Sequence, residues 1–200
     1  MYIIIFVIGL IIGITLNGAI ERISYHITKN KNEIKTMNVF IPIICGLSFE
    51  ILFLRLGFTT ILAKAIAMTV ILIIISFIDL RHRIIPNFMV VIALIIGIIF
   101  SFITQSSFLD TILGMICGGG ILFLLALIPN VMGGGDIKLM FAMGTFLGLN
   151  GTLWALILAF IISSIISIAL ILLKIKGTKD YIPFGPFLSL GSFISLLIFI

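Results

Sequence analysis

Charge is scarce in this chain. Only 10% of its 200 residues are Asp, Glu, Lys or Arg, against about 25% in a soluble globular protein, so a solvated shell around a separate core is excluded. Cysteine is almost missing: Cys45 and Cys117 stand far apart inside apolar stretches, which leaves neither a CxxC metal pair nor a disulfide framework and reads as two buried free thiols. Histidine is confined to His26 and His82, in polar connections and in no zinc-ligand spacing. The first apolar run has no basic stretch before it and no Ala-x-Ala site after it, which speaks against a cleaved signal peptide.

What the chain does have is hydrocarbon. Hydrophobic residues make up 62% and mean hydropathy is +1.45, the composition of an integral membrane protein. A spanning helix takes roughly 20 apolar residues, and the apolar runs fall at 2–20, 39–54, 58–78, 87–104, 111–130, 137–149, 152–173 and 182–200. The expected fold class is all-α, a polytopic membrane protein of about eight transmembrane segments forming one domain over 1–200. The run 137–149 is short, and Asn150 and Gly151 are its expected break from the next one.

The net charge of +5 would suggest nucleic acid in a soluble chain, but here the basic residues lie in short connections and set orientation, with the lipid bilayer as partner and no nucleic acid. With the N-terminus outside, Arg22, Lys29, Lys31, Lys35, Arg81, Arg83, Lys138, Lys174, Lys176 and Lys179 are inside, ten of the twelve Lys and Arg. Arg55 alone lies in an outer loop, and Lys64 is expected to snorkel to the outer headgroups. Both chain ends then lie outside, and the pattern requires 137–149 to count as a segment.

That orientation brings two acids to one membrane depth. Asp79 ends the third run and Asp136 opens the sixth, both on the inner side, and acids in such places are costly and functional by default. In "VMGGGDIKLM" (131–140) the three glycines, Gly133, Gly134 and Gly135, allow the backbone to unwind. Asp136 then has the position of an N-cap for a helix starting at Ile137. Gly118, Gly119 and Gly120 form a second triple with no acid after it, read as a small-residue packing face. Two carboxylates held close suit aspartyl hydrolysis, in which one serves as base on a shared water and the other as acid. A transporter using broken helices and paired acids, with Glu50 central, and a non-enzymatic scaffold of a secretion assembly are the competing readings.

"FIDLRHRIIPN" (77–87) and "MGGGDIKLMFAMGTFLG" (132–148) closely resemble the two signature regions of the type IV prepilin peptidases, GxGD-type intramembrane aspartic proteases. The match runs through Asp79, Ile85, Pro86 and Asn87, and through Gly133, Gly135, Asp136 and Lys138. "GITLNGAIER" (13–22) resembles the family's amino-terminal pattern through Gly13, Asn17 and Arg22, and "YIPFGPFL" (181–188) its late Pro-Phe-Gly-Pro element. The resemblance implies catalytic Asp79 and Asp136 on the cytoplasmic side of the cell membrane, supported by Gly133, Gly135, Lys138, Pro86 and Asn87. It further implies, as substrates, type IV prepilin or pseudopilin precursors that lose a short basic leader. Cleavage then needs no cofactor.

Bifunctional relatives also methylate the new amino terminus from S-adenosylmethionine and carry Cys-x-x-Cys pairs in a longer first cytoplasmic loop. Here that loop, 21–38, has no cysteine, so no four-cysteine zinc module can be built from it. The expectation is cleavage without methylation, with Asn17 and Arg22 as remnants of the methyltransferase region and S-adenosylmethionine needed only if methylation persists.

Overall fold

A computed structural model describes residues 2–29, 38–129, 132–177 and 182–199. Among these there are seven helices and no strand: α1 (Tyr2–Thr28), α2 (Phe40–Leu56), α3 (Thr60–His82), α4 (Asn87–Ile103), α5 (Phe108–Ala126), α6 (Gly134–Leu172) and α7 (Gly185–Phe199). Helices are the only open-ended answer to this composition, because in hydrocarbon each backbone N–H and C=O must be bonded within its own segment. Four of them, α1, α3, α5 and α6, are long and apolar enough to cross a membrane, and α4 and α7 are shorter apolar helices. Large hydrophobic side chains cover the outside, among them Ile3, Phe58 and Leu172, as expected where the surrounding solvent is lipid.

The core is filled by α3 and the first part of α6. Met68, Ile75, Ile78, Leu139, Met140, Met143 and Phe146 are all fully buried there. α5 lies along α6 on a glycine seam, where a Cβ on Gly114 would come within 2.7 Å of the Gly144 carbonyl. Gly118 faces the Met140 carbonyl and Gly119 the Phe141 ring in the same seam, whereas nothing lies within 4 Å of where a Gly120 side chain would begin. The packing face expected of this triple therefore covers two of its three residues.

Several boundaries differ from the sequence reading. α1 continues through Glu21 and Arg22 to Thr28, so the expected loop 21–38 is helical in its first part, while 30–37 lies outside the described residues. α3 runs on to His82, leaving only 83–86 between it and α4. The break in α6 is at Gly148, with φ 66° and ψ −172°, and not at Asn150 and Gly151. That conformation is essentially open to glycine alone, and Asp110 of α5 completes it: its Oδ1 accepts the Leu149 N–H at 3.0 Å, one of the donors freed where the helix restarts. Lys64 does not snorkel outwards. It is only 6% exposed and lies within electrostatic reach of Asp110.

Candidate active site

Asp79 occupies the last turn of α3. Its backbone carbonyl accepts the N–H of Arg83 at 2.8 Å, and Arg83 ends the helix in the left-handed conformation, φ 56°. Its side chain reaches across to α7, where Oδ2 accepts the Gly185 N–H at 2.9 Å. Gly185 is the first residue of α7, so the carboxylate sits against the positive end of a helix. A Cβ on Gly185 would fall 2.7 Å from that same oxygen, so only glycine allows the approach.

Asp136 lies in the first turn of α6, but not as its N-cap. The helix starts at Gly134, Gly133 is the capping residue, and Asp136 is the third helical residue, its N–H bonded to the Gly133 carbonyl at 3.1 Å. Its carboxylate turns back to the Gly133 N–H, the reciprocal half of a capping box. The cause of the difference is local: Gly134 and Gly135 enter the helix, and of the glycine triple only Gly133 is unwound. Both acids are just 5% exposed, and Asp136 is within electrostatic reach of Asp79. Two helix N-termini, those of α6 and α7, thus converge on a pair of buried carboxylates.

The remaining residues of the two motifs stitch the motifs to each other. Gly135 faces Ile85, whose Cβ lies 3.0 Å from where a Gly135 Cβ would be. Lys138 Nζ donates to Asn87 Oδ1 at 3.0 Å on the exposed side. Pro86 is buried and precedes α4 in an extended conformation, its carbonyl accepting the Met89 N–H at 3.1 Å. Gly133, Gly135, Lys138, Pro86 and Asn87 are therefore brought together with the two acids. Among the described residues Asn17 and Arg22 border two different cavities that share Glu21. Asn17 is buried beside Glu21, Asn38, Phe77 and Arg81 around a cavity of about 10 Å³, and Arg22 is exposed in a depression bordered by Tyr25 and His26. Tyr181, the first residue of the late element, lies outside the described residues.

Sequence reasoning quoted Gly185 only as part of a resemblance and missed its bond to Asp79. Asp110 has no assigned role in the sequence reading, and its bond to Leu149 appears only in the fold. No spacing signal connects either residue to its partner, because both contacts join distant parts of the chain. Among the described residues no group of three or more His, Cys, Asp or Glu side chains is placed to hold a metal.

Taken together, these are the features of a helical membrane protein with a buried acidic pair at converging helix ends. The sequence profile of the type IV leader peptidase family matches residues 66–172, and the chain belongs to that family. It is 32% identical over 140 residues to a prepilin leader peptidase/N-methyltransferase of Aeromonas salmonicida (strain A449), covering 66% of this chain and 48% of that protein. Proteins of the same description from Legionella pneumophila and Neisseria gonorrhoeae are 36% identical over 154 residues and 28% over 165. Those two matches cover 70% and 77% of this chain, and 51% and 55% of the relatives. The chain thus spans about half the length of the curated relatives it matches. No solved structure matches it.

Proposed function

We propose that this protein is an intramembrane aspartyl endopeptidase that removes the short basic leader from type IV prepilin-like precursors at the cytoplasmic face of the membrane. The observation that carries the reading is the buried pair itself: Asp79 and Asp136, on helices remote in sequence, lie within electrostatic reach of each other. Family membership supports the choice of a leader peptide as substrate.

The pair works with one proton between its members, since two adjacent carboxylates do not both ionise readily. The ionised member takes a proton from a bound water, whose oxygen attacks the scissile carbonyl carbon. The protonated member gives its proton to the carbonyl oxygen. As the tetrahedral intermediate collapses, the C–N bond breaks, the amine leaves with the proton that the pair took from the water, and one hydroxyl of the intermediate returns its proton to the pair, which is again singly protonated. The Gly185 N–H holds Asp79 in place, the Gly133 backbone orients Asp136, and the contacts of Gly135 with Ile85 and of Lys138 with Asn87 keep the two helix ends in register.

The reading includes eight membrane segments, with both chain ends outside and the acids inside. The Gly148 break divides the 39 residues of α6, about twice what one crossing needs, and the loop charges favour that topology. Methylation is left out of it because the 21–38 segment has no cysteine from which to build a four-cysteine zinc module, and S-adenosylmethionine is needed only if methylation persists. Co-expression with a pilin-like precursor, scored by its shift in size, tests the reading. Wild-type protein should shorten the precursor. Asp79→Asn and Asp136→Asn, present at normal levels in the membrane, should leave it intact, and near wild-type cleavage by either variant overturns the mechanism.

A further inference from the structure

A groove of about 460 Å³ runs between α4, α5 and α6, and the chemistry of the acidic pair makes no use of it. Its wall is hydrocarbon, with Val91 and Leu94 of α4, Ile116 and Phe123 of α5 and Phe141 of α6 facing it. Val91, Ile116 and Phe123 are exposed, so the groove opens on the apolar exterior. Glycine makes the hollow: nothing lies within 4 Å of where a Gly120 side chain would begin, at a place where Leu or Ile could face lipid at no cost. From Ile116 to Phe123 the α5 helix rises about 10 Å, a third of the hydrocarbon thickness of about 30 Å.

One end of the groove is polar. Lys138 borders it, and the Lys138 Nζ donates to Asn87 Oδ1 at 3.0 Å on the exposed side. An ammonium has three donors and an amide two. The Asn87 contact is the one bond of the Lys138 side chain among the described residues, and it leaves two ammonium donors and the Asn87 amide NH2 uncommitted. Asn87 is also the first residue of α4, so the positive end of that helix points the same way. A cation, an amide and a helix N-terminus thus gather at the end of a slot whose wall carries no other charge.

The occupant that matches is hydrocarbon along its length and anionic at one end. An acyl chain brings no polar group against the wall, and the phosphate to which it is joined lies one headgroup away, at the level where a membrane lysine meets the interface. We propose that the α4–α5–α6 groove seats one chain of an anionic phospholipid, with its phosphate held by Lys138 Nζ, the Asn87 amide and the N-terminus of α4. The wall sets the preference for a chain, and the charge of Lys138 sets the preference for an anionic headgroup over a zwitterionic one, worth roughly fivefold for one lysine near the surface. The site adjoins Asp136, two residues before Lys138, and its occupancy does not depend on cleavage.

The test puts a fluorophore in the groove. Trp154 is the only tryptophan and lies away from it, so Trp154→Phe combined with Phe123→Trp moves the single reporter onto the wall. The full chain is reconstituted in vesicles that mix phosphatidylglycerol with phosphatidylcholine, one of the two carrying brominated chains. At position 123 brominated phosphatidylglycerol should quench with an affinity about 3–5-fold above that of brominated phosphatidylcholine, whereas Trp154 of the unaltered chain should be quenched nearly equally by both. Lys138→Met should bring the ratio at position 123 down to that of Trp154, Lys138→Arg should preserve it, and added salt should narrow it. The proposal is overturned by equal ratios at the two positions or by a ratio that Lys138→Met leaves unchanged. Relief of quenching by both lipids also overturns it: on adding a pilin-like precursor in an Asp79→Asn background it makes a peptide the occupant, and on raising the protein content of the vesicles it makes a second copy of the chain the occupant. No arm of the experiment reads cleavage, so each of these outcomes leaves the peptidase reading standing.

Discussion

Gly185 supplies Asp79 with a hydrogen bond that no other residue could supply, because the space a side chain would need is occupied by the carboxylate it binds. Gly185→Ala should therefore displace Asp79 and lower cleavage by about 100-fold, the effect of a misplacement near 1 Å. Thermal unfolding in detergent should change far less, and cleavage at near wild-type rate would show that this contact is dispensable. For the acids themselves, Asn at Asp79 or Asp136 keeps size and most hydrogen bonding and removes the exchangeable charge. Each variant should lose at least about 100-fold in kcat, and the double variant should be little worse than either, as for residues that act as one unit. The wild-type rate should fall on both sides of a pH optimum, since acid adds a second proton to the pair and alkali removes the first. The two apparent values belong to the pair rather than to either residue.

α6 is shaped by its break. The half that carries Asp136 in its first turn stops at Gly148, where Asp110 of α5 accepts the first N–H of the second half. Thr152 Oγ1 then donates to the Gly148 carbonyl at 2.6 Å, and Ser195 of α7 donates to the Gly151 carbonyl at 2.6 Å, so the restarted helix is tied both to itself and to α7. Gly148→Ala faces a backbone conformation costing about 1–3 kcal/mol for a residue with a side chain, with the added methyl directed at the Asp110 carboxylate. Asp110→Asn keeps an acceptor for Leu149 and Asp110→Ala does not, so Ala should be less stable than Asn by about 0.5–1.5 kcal/mol. Both should cleave normally per folded molecule, since Asp110 lies at the far end of the half-helix from Asp136. Equal unfolding temperatures for the two variants would mean that the Leu149 bond contributes nothing.

The proposed reading requires the Asp79 end of α3, the Asp136 end of α6 and the Gly185 end of α7 to lie on one side of a bilayer. Single cysteines at the exposed positions His26, Ser107 and Lys174, in a background lacking Cys45 and Cys117, distinguish the arrangements. With eight segments His26→Cys and Lys174→Cys label from the cytoplasmic side and Ser107→Cys from the other. If α6 crossed only once, Lys174→Cys would label together with Ser107→Cys. The same placement explains the exposed Ile, Leu and Phe along α1, α4 and α5, which in water would form an aggregating surface.

The membrane class, the helical content and the two acidic positions were legible in the chain because they depend on local facts: apolar run length, the scarcity of charge, and an Asp at the edge of a hydrophobic segment. Exact helix limits were not. Glu21 and Arg22 read as loop by polarity, yet α1 carries them, since a helix that leaves the bilayer can continue in water. Gly134 and Gly135 read as unwound by propensity, yet packing against Ile85 holds Gly135 inside α6. Lys64 read as a snorkelling charge because its burial depends on packing against distant segments. The bond from Gly185 to Asp79 and the bridge from Lys138 to Asn87 have the same origin. Composition and periodicity report what a segment prefers as its solvent, and only the packed bundle determines which remote segment becomes its neighbour.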